Sequence, residues 1–172
     1  MGSQTAFYLA PKMKRVAPVS LPRPRSGTRP ETTAIIPHQQ LNQRPASRII
    51  EILWTESRTL PNVYARESRM ARPGTRALCL SAEPAGGSSE AFIDGPEFCH
   101  LHPLPEGSLH LTLPAPYRQL LVQLGWAEVH PLAGAGSITD ALVMIFAPRD
   151  EEELAVVLHC LGVSRDFAAG LF

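Results

Sequence analysis

Residues 97–113 read EFCHLHPLPEGSLHLTL, and this stretch decides the fold. Two apolar-rich runs, Glu97–His102 and Ser108–Leu113, flank Pro103-Leu104-Pro105-Glu106-Gly107. A five-residue connection containing glycine is a hairpin signal. The second run alternates strictly, so Leu109, Leu111 and Leu113 share one face while Ser108, His110 and Thr112 share the other. If the loop is 103–107, residue 102 pairs with 108, 101 with 109 and 100 with 110. His100 then sits directly opposite His110, and His102 opposite Ser108, with Phe98 and Thr112 beyond them on the same face. Opposed Cβ atoms in such a pair are about 5 Å apart, so the register gathers three imidazoles on one sheet face. Cys99, Leu101, Leu109, Leu111 and Leu113 form the opposite, apolar face.

Working outward, Ile49, Ile50, Leu53 and Leu60 recur at helical spacing behind Ser47, a cap candidate, and Pro61 ends the pattern. Val63–Arg69 and Arg76–Leu80 read as strands joined by the turn Arg72-Pro73-Gly74-Thr75. Residues 83–90 (EPAGGSSE) read as a loop, and Phe92–Ile93 as a further short strand. Beyond the hairpin, Pro116 opens a helix whose stripe is Tyr117, Leu120, Leu121 and Leu124, with Gly125 as its stop. Trp126–His130 reads as extended, residues 131–136 as a turn, and Ala141–Ala147 as a buried strand. Asp150 and Glu153 form a D-x-x-E capping pair before a helix with the stripe Leu154, Val157, Leu158 and Leu161. Gly162 is the expected stop, and a short last helix is expected after Ser164. Helix, strands, helix, strands, helix, without long βαβ units, predicts an α+β domain: an antiparallel sheet with helices packed mainly on one face.

The 172 residues carry a formal net charge of zero and 44% apolar residues, enough for one core. The zero conceals a division. Residues 1–48 hold eight cations against Glu31 alone, and the remainder holds eight arginines against fifteen acidic residues. Seven prolines also fall in the first 48 residues. The expected organisation is therefore a basic, proline-rich arm over residues 1–46, disordered or loosely docked, before an α+β domain over residues 47–172. Such an arm suits docking onto the acidic domain itself, an acidic partner, a membrane surface or organelle targeting. Sequence-specific nucleic-acid binding is not expected. The longest apolar run, Ala141–Ala147, is far short of the roughly 20 residues of a transmembrane span. Cys79, Cys99 and Cys160 show no ligand or disulfide spacing and read as buried hydrophobes, so an intracellular, soluble protein is expected.

Clustered imidazoles either bind a transition metal through neutral nitrogens or move protons near neutral pH. His100, His102 and His110 are the candidate set for both, and for any metal. Isolated histidines more often hydrogen-bond to backbone as polar filler, but three on one face make that reading weaker. His100-x-His102-x3-Glu106 also matches the short string of cupin metal sites. It carries little weight without the cupin's many strands and second motif. His130 and Arg149 are candidate charge-supplying groups. Ser108, Trp126 and Glu106 are candidate substrate-binding groups. Trp126 also reads as core, and Arg149 as an ion-pair anchor. His38 and His159 carry no pattern.

Cys99–Gly170 resembles the luciferase domain of fungal bioluminescence and its non-luminous relatives. The resemblance rests on His100-x-His102, a seven-residue gap and His110-Leu111; on Gly125-Trp126-x3-His130-Pro131-Leu132-Ala133-Gly134; and on Phe146-Ala147-Pro148-Arg149-Asp150-Glu151-Glu152-Glu153. Residues 47–98 fit more loosely. The resemblance implies an oxygen-using oxidoreductase acting on an enol, hydroxypyrone or polyketide-type small molecule, with molecular oxygen as co-substrate. No further cofactor, or a transition metal, is compatible with it. In such chemistry the histidine face would supply the base, and His130 and Arg149 the charge for a developing anion. Two departures stand out: a hydrophobic N-terminal anchor is not evident, and the 103–107 loop is apolar and proline-rich. Light emission is accordingly not expected. The alternative is a non-catalytic interaction domain whose basic arm docks an acidic partner.

Overall fold

The computed structural model describes residues 22–83 and 86–172. Expectations for residues 1–21, including Lys12, Lys14 and Arg15, lie outside them. Helix α1 (Ser47–Ser57) is followed by strands β1 (Val63–Glu67) and β2 (Arg76–Leu80), a 3-10 turn at Ser89–Ala91, and strands β3 (Glu97–Leu101) and β4 (Leu109–Thr112). Helix α2 (Ala115–Gln123), strands β5 (Ala127–Val129) and β6 (Leu142–Ile145), and helix α3 (Glu151–Ala168) complete the order. All six strands pair antiparallel in the order β1-β2-β3-β4-β6-β5. This is the expected α+β architecture.

The hairpin register is the one read from the loop: Cys99 pairs with Leu111, His100 with His110 and Leu101 with Leu109. His102 N–H donates to Ser108 O at 2.9 Å, extending the pairing by one step. Gly107 closes the loop at φ +71°, and a Cβ there would lie 2.7 Å from Pro45 Cγ. That combination of left-handed backbone and crowding suits glycine. Cys99, Leu101, Leu109, Leu111 and Leu113 join Ile50, Leu53, Val157 and Leu161 in one buried apolar cluster beneath α1 and α3.

Four expectations are corrected. Ser47 is the first residue of α1, and its cap is Ala46, which offers no side-chain bond. Phe92–Ile93 is not a strand; the short bridge there joins Asp94 to Glu97. Gly162 does not stop the last helix: α3 runs unbroken through it for 18 residues and absorbs the expected separate helix after Ser164. Gly162 costs less than a proline would, and the apolar stripe on both sides holds the helix on the sheet. Asp150 does cap α3, accepting from Glu153 N at 2.9 Å.

The fourth correction matters most for function. The register between β2 and β3 slips at Leu78/Cys79, where Cys79 faces Glu97 and Phe98 becomes the extra residue. A bulge reverses the side-chain alternation beyond it. Phe98 therefore enters the apolar cluster instead of the histidine face, and Glu97 takes the place beside His100.

Residues 22–46, part of the expected arm, lie against the domain. Arg25 Nη2 reaches Glu153 Oε2 at 3.1 Å and Ala147 O at 3.3 Å. Arg29 pairs with Glu128 at 2.5 Å, Trp126 Nε1 donates to Arg23 O at 2.7 Å, and Ala147 N donates to Gln40 Oε1 at 2.9 Å. Arg25, His38 and Gln40 are buried. Two of the arm's arginines are thus paired with acids of this same chain. The segment crosses the sheet face opposite α1 and α3, so each face has its own cover.

Candidate active site

One row of residues crosses the sheet on that second face. Arg66 pairs with Ala77, Ala77 with His100, His100 with His110, His110 with Met144, and Met144 with Glu128. Adjacent strands are about 4.8 Å apart, so neighbouring side chains in such a row touch. His102 and Ser108 lie one step along the hairpin. His130 enters from the end of β5, two residues beyond Glu128. His38 descends from the covering segment. Five imidazoles therefore meet, with ring centroids between 4.6 and 5.4 Å for the six contacting pairs. All five are buried.

Each of three rings is held from behind by a carboxylate, and each carboxylate by an arginine. His100 Nδ1 meets Glu97 Oε1 at 2.8 Å, and Arg66 Nη2 reaches Glu97 Oε2 at 3.1 Å. His102 Nδ1 meets Glu106 Oε1 at 2.5 Å, with Arg72 Nη2 on Glu106 Oε2 at 2.8 Å. His38 Nε2 meets Glu128 Oε1 at 2.6 Å, with Arg29 on the other oxygen. Further donors complete the glutamates: Ser68 Oγ on Glu97 at 2.7 Å, and Ser108 Oγ and Gln40 N on Glu106 at 2.8 and 3.1 Å. Burial opposes ionisation of Glu106 and Glu128, but the bonds from His102 and His38 outweigh it together with the other donors. Both carboxyls are held below their ordinary range.

An ionised carboxylate only accepts, so the ring nitrogen facing it carries the proton. His100 Nε2, His102 Nε2 and His38 Nδ1 are then left as lone pairs. His110 stands between two of them: its Nδ1 is 3.1 Å from His100 Nε2 and its Nε2 is 3.1 Å from His38 Nδ1. A neutral His110 has one N–H, so it satisfies one neighbour and sets a lone pair against the other. The arrangement is one cation short. Burial, followed by the four surrounding imidazoles, pushes His110 well below the ordinary histidine range, and burial lowers His100 as well. His130 accepts Leu132 N–H at its Nδ1 at 3.2 Å, so its proton is on Nε2. Burial pushes its pKa down to about 4.

A cavity of about 210 Å³ opens onto this cluster. His38, His102, His110 and His130 line it together with Gln39, Arg72 and Glu106, and Ile36, Met70, Leu132 and Ile138 are among its apolar lining residues.

The structure thus brings together His100, His102, His110, His130, Ser108 and Glu106 of the sequence-predicted residues. Ser108 donates to Glu106 and lies 3.2 Å from His102 Nδ1, behind the cluster and absent from the cavity lining. Arg149 and Trp126 lie elsewhere. Arg149 chelates Glu153 and donates from Nη2 to Ser26 O at 2.7 Å, anchoring the covering segment. Trp126 packs beside Arg25. Sequence reasoning missed His38, Glu97 and Glu128. Glu128 was legible as the alternate-position neighbour of His130. Glu97 was hidden by the bulge, and His38 sits in a segment with no periodicity.

Residues 95–164 match the luciferase domain family. The chain is 35% identical over 164 aligned residues to a luciferase of Armillaria ostoyae and 34% identical to one of Armillaria gallica; each alignment covers 86% of this chain and 60% of the relative. A luciferase of Neonothopanus nambi is 29% identical over 153 residues, covering 77% of this chain and 55% of that protein. The chain thus spans about 60% of the length of the curated relatives it matches first. No solved structure matches. Residues 95–164 thus belong to the luciferase domain family, and the similarity to fungal luciferases extends over 86% of the chain.

Proposed function

We propose that this chain is an oxygen-using oxidoreductase that acts on an enolised ring of the hydroxypyrone class. The observation that carries the reading is the buried histidine cluster, one cation short, at the floor of a small cavity in a luciferase domain. An enol entering the cavity gives its O–H proton to an inward imidazole nitrogen; burial opposes that charge, and the enolate formed beside it supplies the counter-ion that offsets the penalty. The enolate left behind is electron-rich at the ring carbon next to its oxygen-bearing carbon. That carbon donates an electron pair to molecular oxygen: a C–O bond forms, the carbon is oxidised and oxygen is reduced to the peroxide level. The peroxide anion then takes a proton back from the cluster.

The surrounding groups suit these steps. Glu97, Glu106 and Glu128 fix the ring orientations and stabilise the imidazolium that forms. His130 has its Nδ1 occupied, so at Nε2 it donates, a role that fits an anionic oxygen. The apolar wall of Ile36, Met70, Leu132 and Ile138 keeps water from the peroxide. A volume of about 210 Å³ suits one substituted ring, being smaller than drug-sized pockets of about 300 Å³ or more.

The test is oxygen consumption with a 3-hydroxy-2-pyrone as substrate. Wild-type protein consumes oxygen, and His102→Ala and His110→Ala each lower the rate by about 100-fold or more while the near-ultraviolet circular dichroism is retained. Wild-type rates in both folded variants would overturn the reading.

A further inference from the structure

We infer that the cluster binds one divalent transition-metal ion through His100 Nε2, His102 Nε2 and His110 Nδ1, with Glu97, Glu106 and the His38–Glu128 pair securing the three rings from behind. One nitrogen from each of these three rings lies within 4.8 Å of the other two, and His100 Nε2 and His110 Nδ1 are only 3.1 Å apart. Three imidazoles on a tetrahedral ion at about 2.1 Å have nitrogens about 3.4 Å apart. Small rotations of the rings about their side-chain torsions bridge the difference.

The hydrogen-bond inventory favours this ligand set. A metal-bound histidine usually donates its remote N–H to a carboxylate or another acceptor, which fixes the tautomer and raises the ligand's basicity. All three rings have that acceptor. His100 donates to Glu97 and His102 to Glu106. With Nδ1 on the ion, His110 donates from Nε2 to His38 Nδ1, and His38 donates onward to Glu128. An ion at this point removes the opposition of lone pairs between His100 and His110 and leaves every nitrogen of the four rings partnered.

A second triad, His38, His110 and His130, has similar spacing but different chemistry. His130 Nδ1 already accepts Leu132 N–H, so its other nitrogen carries the proton and His130 has no lone pair to give. His130 is therefore excluded from the ligand set and remains a donor at the cavity. Neutral imidazole ligands with positions left open for small molecules suit iron(II), cobalt(II), zinc(II) or copper(II) in preference to magnesium or calcium.

The ion takes the lone pairs that otherwise accept the enol proton, so the proposed reaction belongs to the metal-free chain; binding is read without turnover, which keeps the two tests separate. The full-length chain is stripped with a chelator and titrated with cobalt(II), followed by visible d–d absorption and by calorimetry. We expect one equivalent bound by wild type and by His130→Ala, and none by His102→Ala. Glu97→Gln weakens binding by about 10- to 100-fold, with its near-ultraviolet circular dichroism unchanged. The proposal is overturned if the folded wild-type chain binds less than about a tenth of an equivalent. It is equally overturned if His102→Ala binds as wild type, or if His130→Ala is the variant that loses the ion. Oxygen uptake by the stripped chain would leave the reaction standing whatever the titration shows.

Discussion

The two faces of the β3–β4 hairpin have the same backbone and opposite chemistry. On one face Cys99, Leu101, Leu109 and Leu111 are covered by α1 and α3. On the other, His100, His102 and His110 are covered by residues 22–46 and by Glu97, Glu106 and Glu128. Burial is nearly complete on both. The apolar face gains free energy in proportion to area and tolerates approximate partners. The histidine face gains little from area, and each buried nitrogen needs its own partner or costs about 1–3 kcal/mol. The first face therefore sets stability, and the second spends its order on a site.

The largest effect that would test this division is at Leu111, fully buried in the apolar cluster. Leu111→Ala should destabilise the protein by about 2–5 kcal/mol in a denaturant titration, without altering oxygen uptake per folded molecule. Comparable in size is the anchor of the covering segment, where Arg25 and Glu153 pair with both side chains buried. Glu153→Ala strands that arginine and should cost about 3 kcal/mol or more. Hydrogen exchange should show residues 22–46 losing protection before α3 does. If that segment stays protected, its docking does not depend on the pair.

Acid probes the histidine face, with His159 on α3 also lowered by burial. Burial lowers His100, His110 and His130 relative to free imidazole, the last to about 4. In the unfolded chain these rings take up protons at about pH 6.5. The folded state resists protonation, so the stability they provide is full above that pH and is lost as the pH falls towards 4. The melting temperature of metal-free protein should drop over this window, and the drop should shrink in His130→Ala. A melting temperature flat from pH 7 to pH 4.5 would mean that the rings are not held neutral. The smallest effect lies on the apolar side. Gly162 sits inside α3 with open space where a Cβ would go, so Gly162→Ala should stabilise by about 0.5–1 kcal/mol, read as a shift in denaturation midpoint.

Legibility in the sequence follows the same division. The apolar face was readable because its signal is periodic: Leu109, Leu111 and Leu113 fix the strand, and a five-residue loop fixes the register. That register alone brings His100, His102 and His110 together on one face. Glu97 was not readable, since the bulge at Phe98 depends on how β2 meets β3, a long-range event. His38 was not readable because its segment is ordered by contacts with Glu128, Glu153 and Ala147 rather than by its own pattern. Arg149 read from sequence both as a charge-supplying group and as an ion-pair anchor, and its guanidinium is directed to Glu153 and Ser26. A charged side chain beside a capped helix looks the same in sequence whether it faces a substrate or an internal carboxylate.

The most direct test of the central claim is the oxygen-uptake rate of His110→Ala, compared per folded molecule with that of Leu111→Ala, its neighbour on the opposite face. The account predicts that His110→Ala keeps its fold and loses about 100-fold or more of the rate, while Leu111→Ala loses stability and keeps the rate. A folded His110→Ala protein that consumes oxygen at the wild-type rate would contradict it.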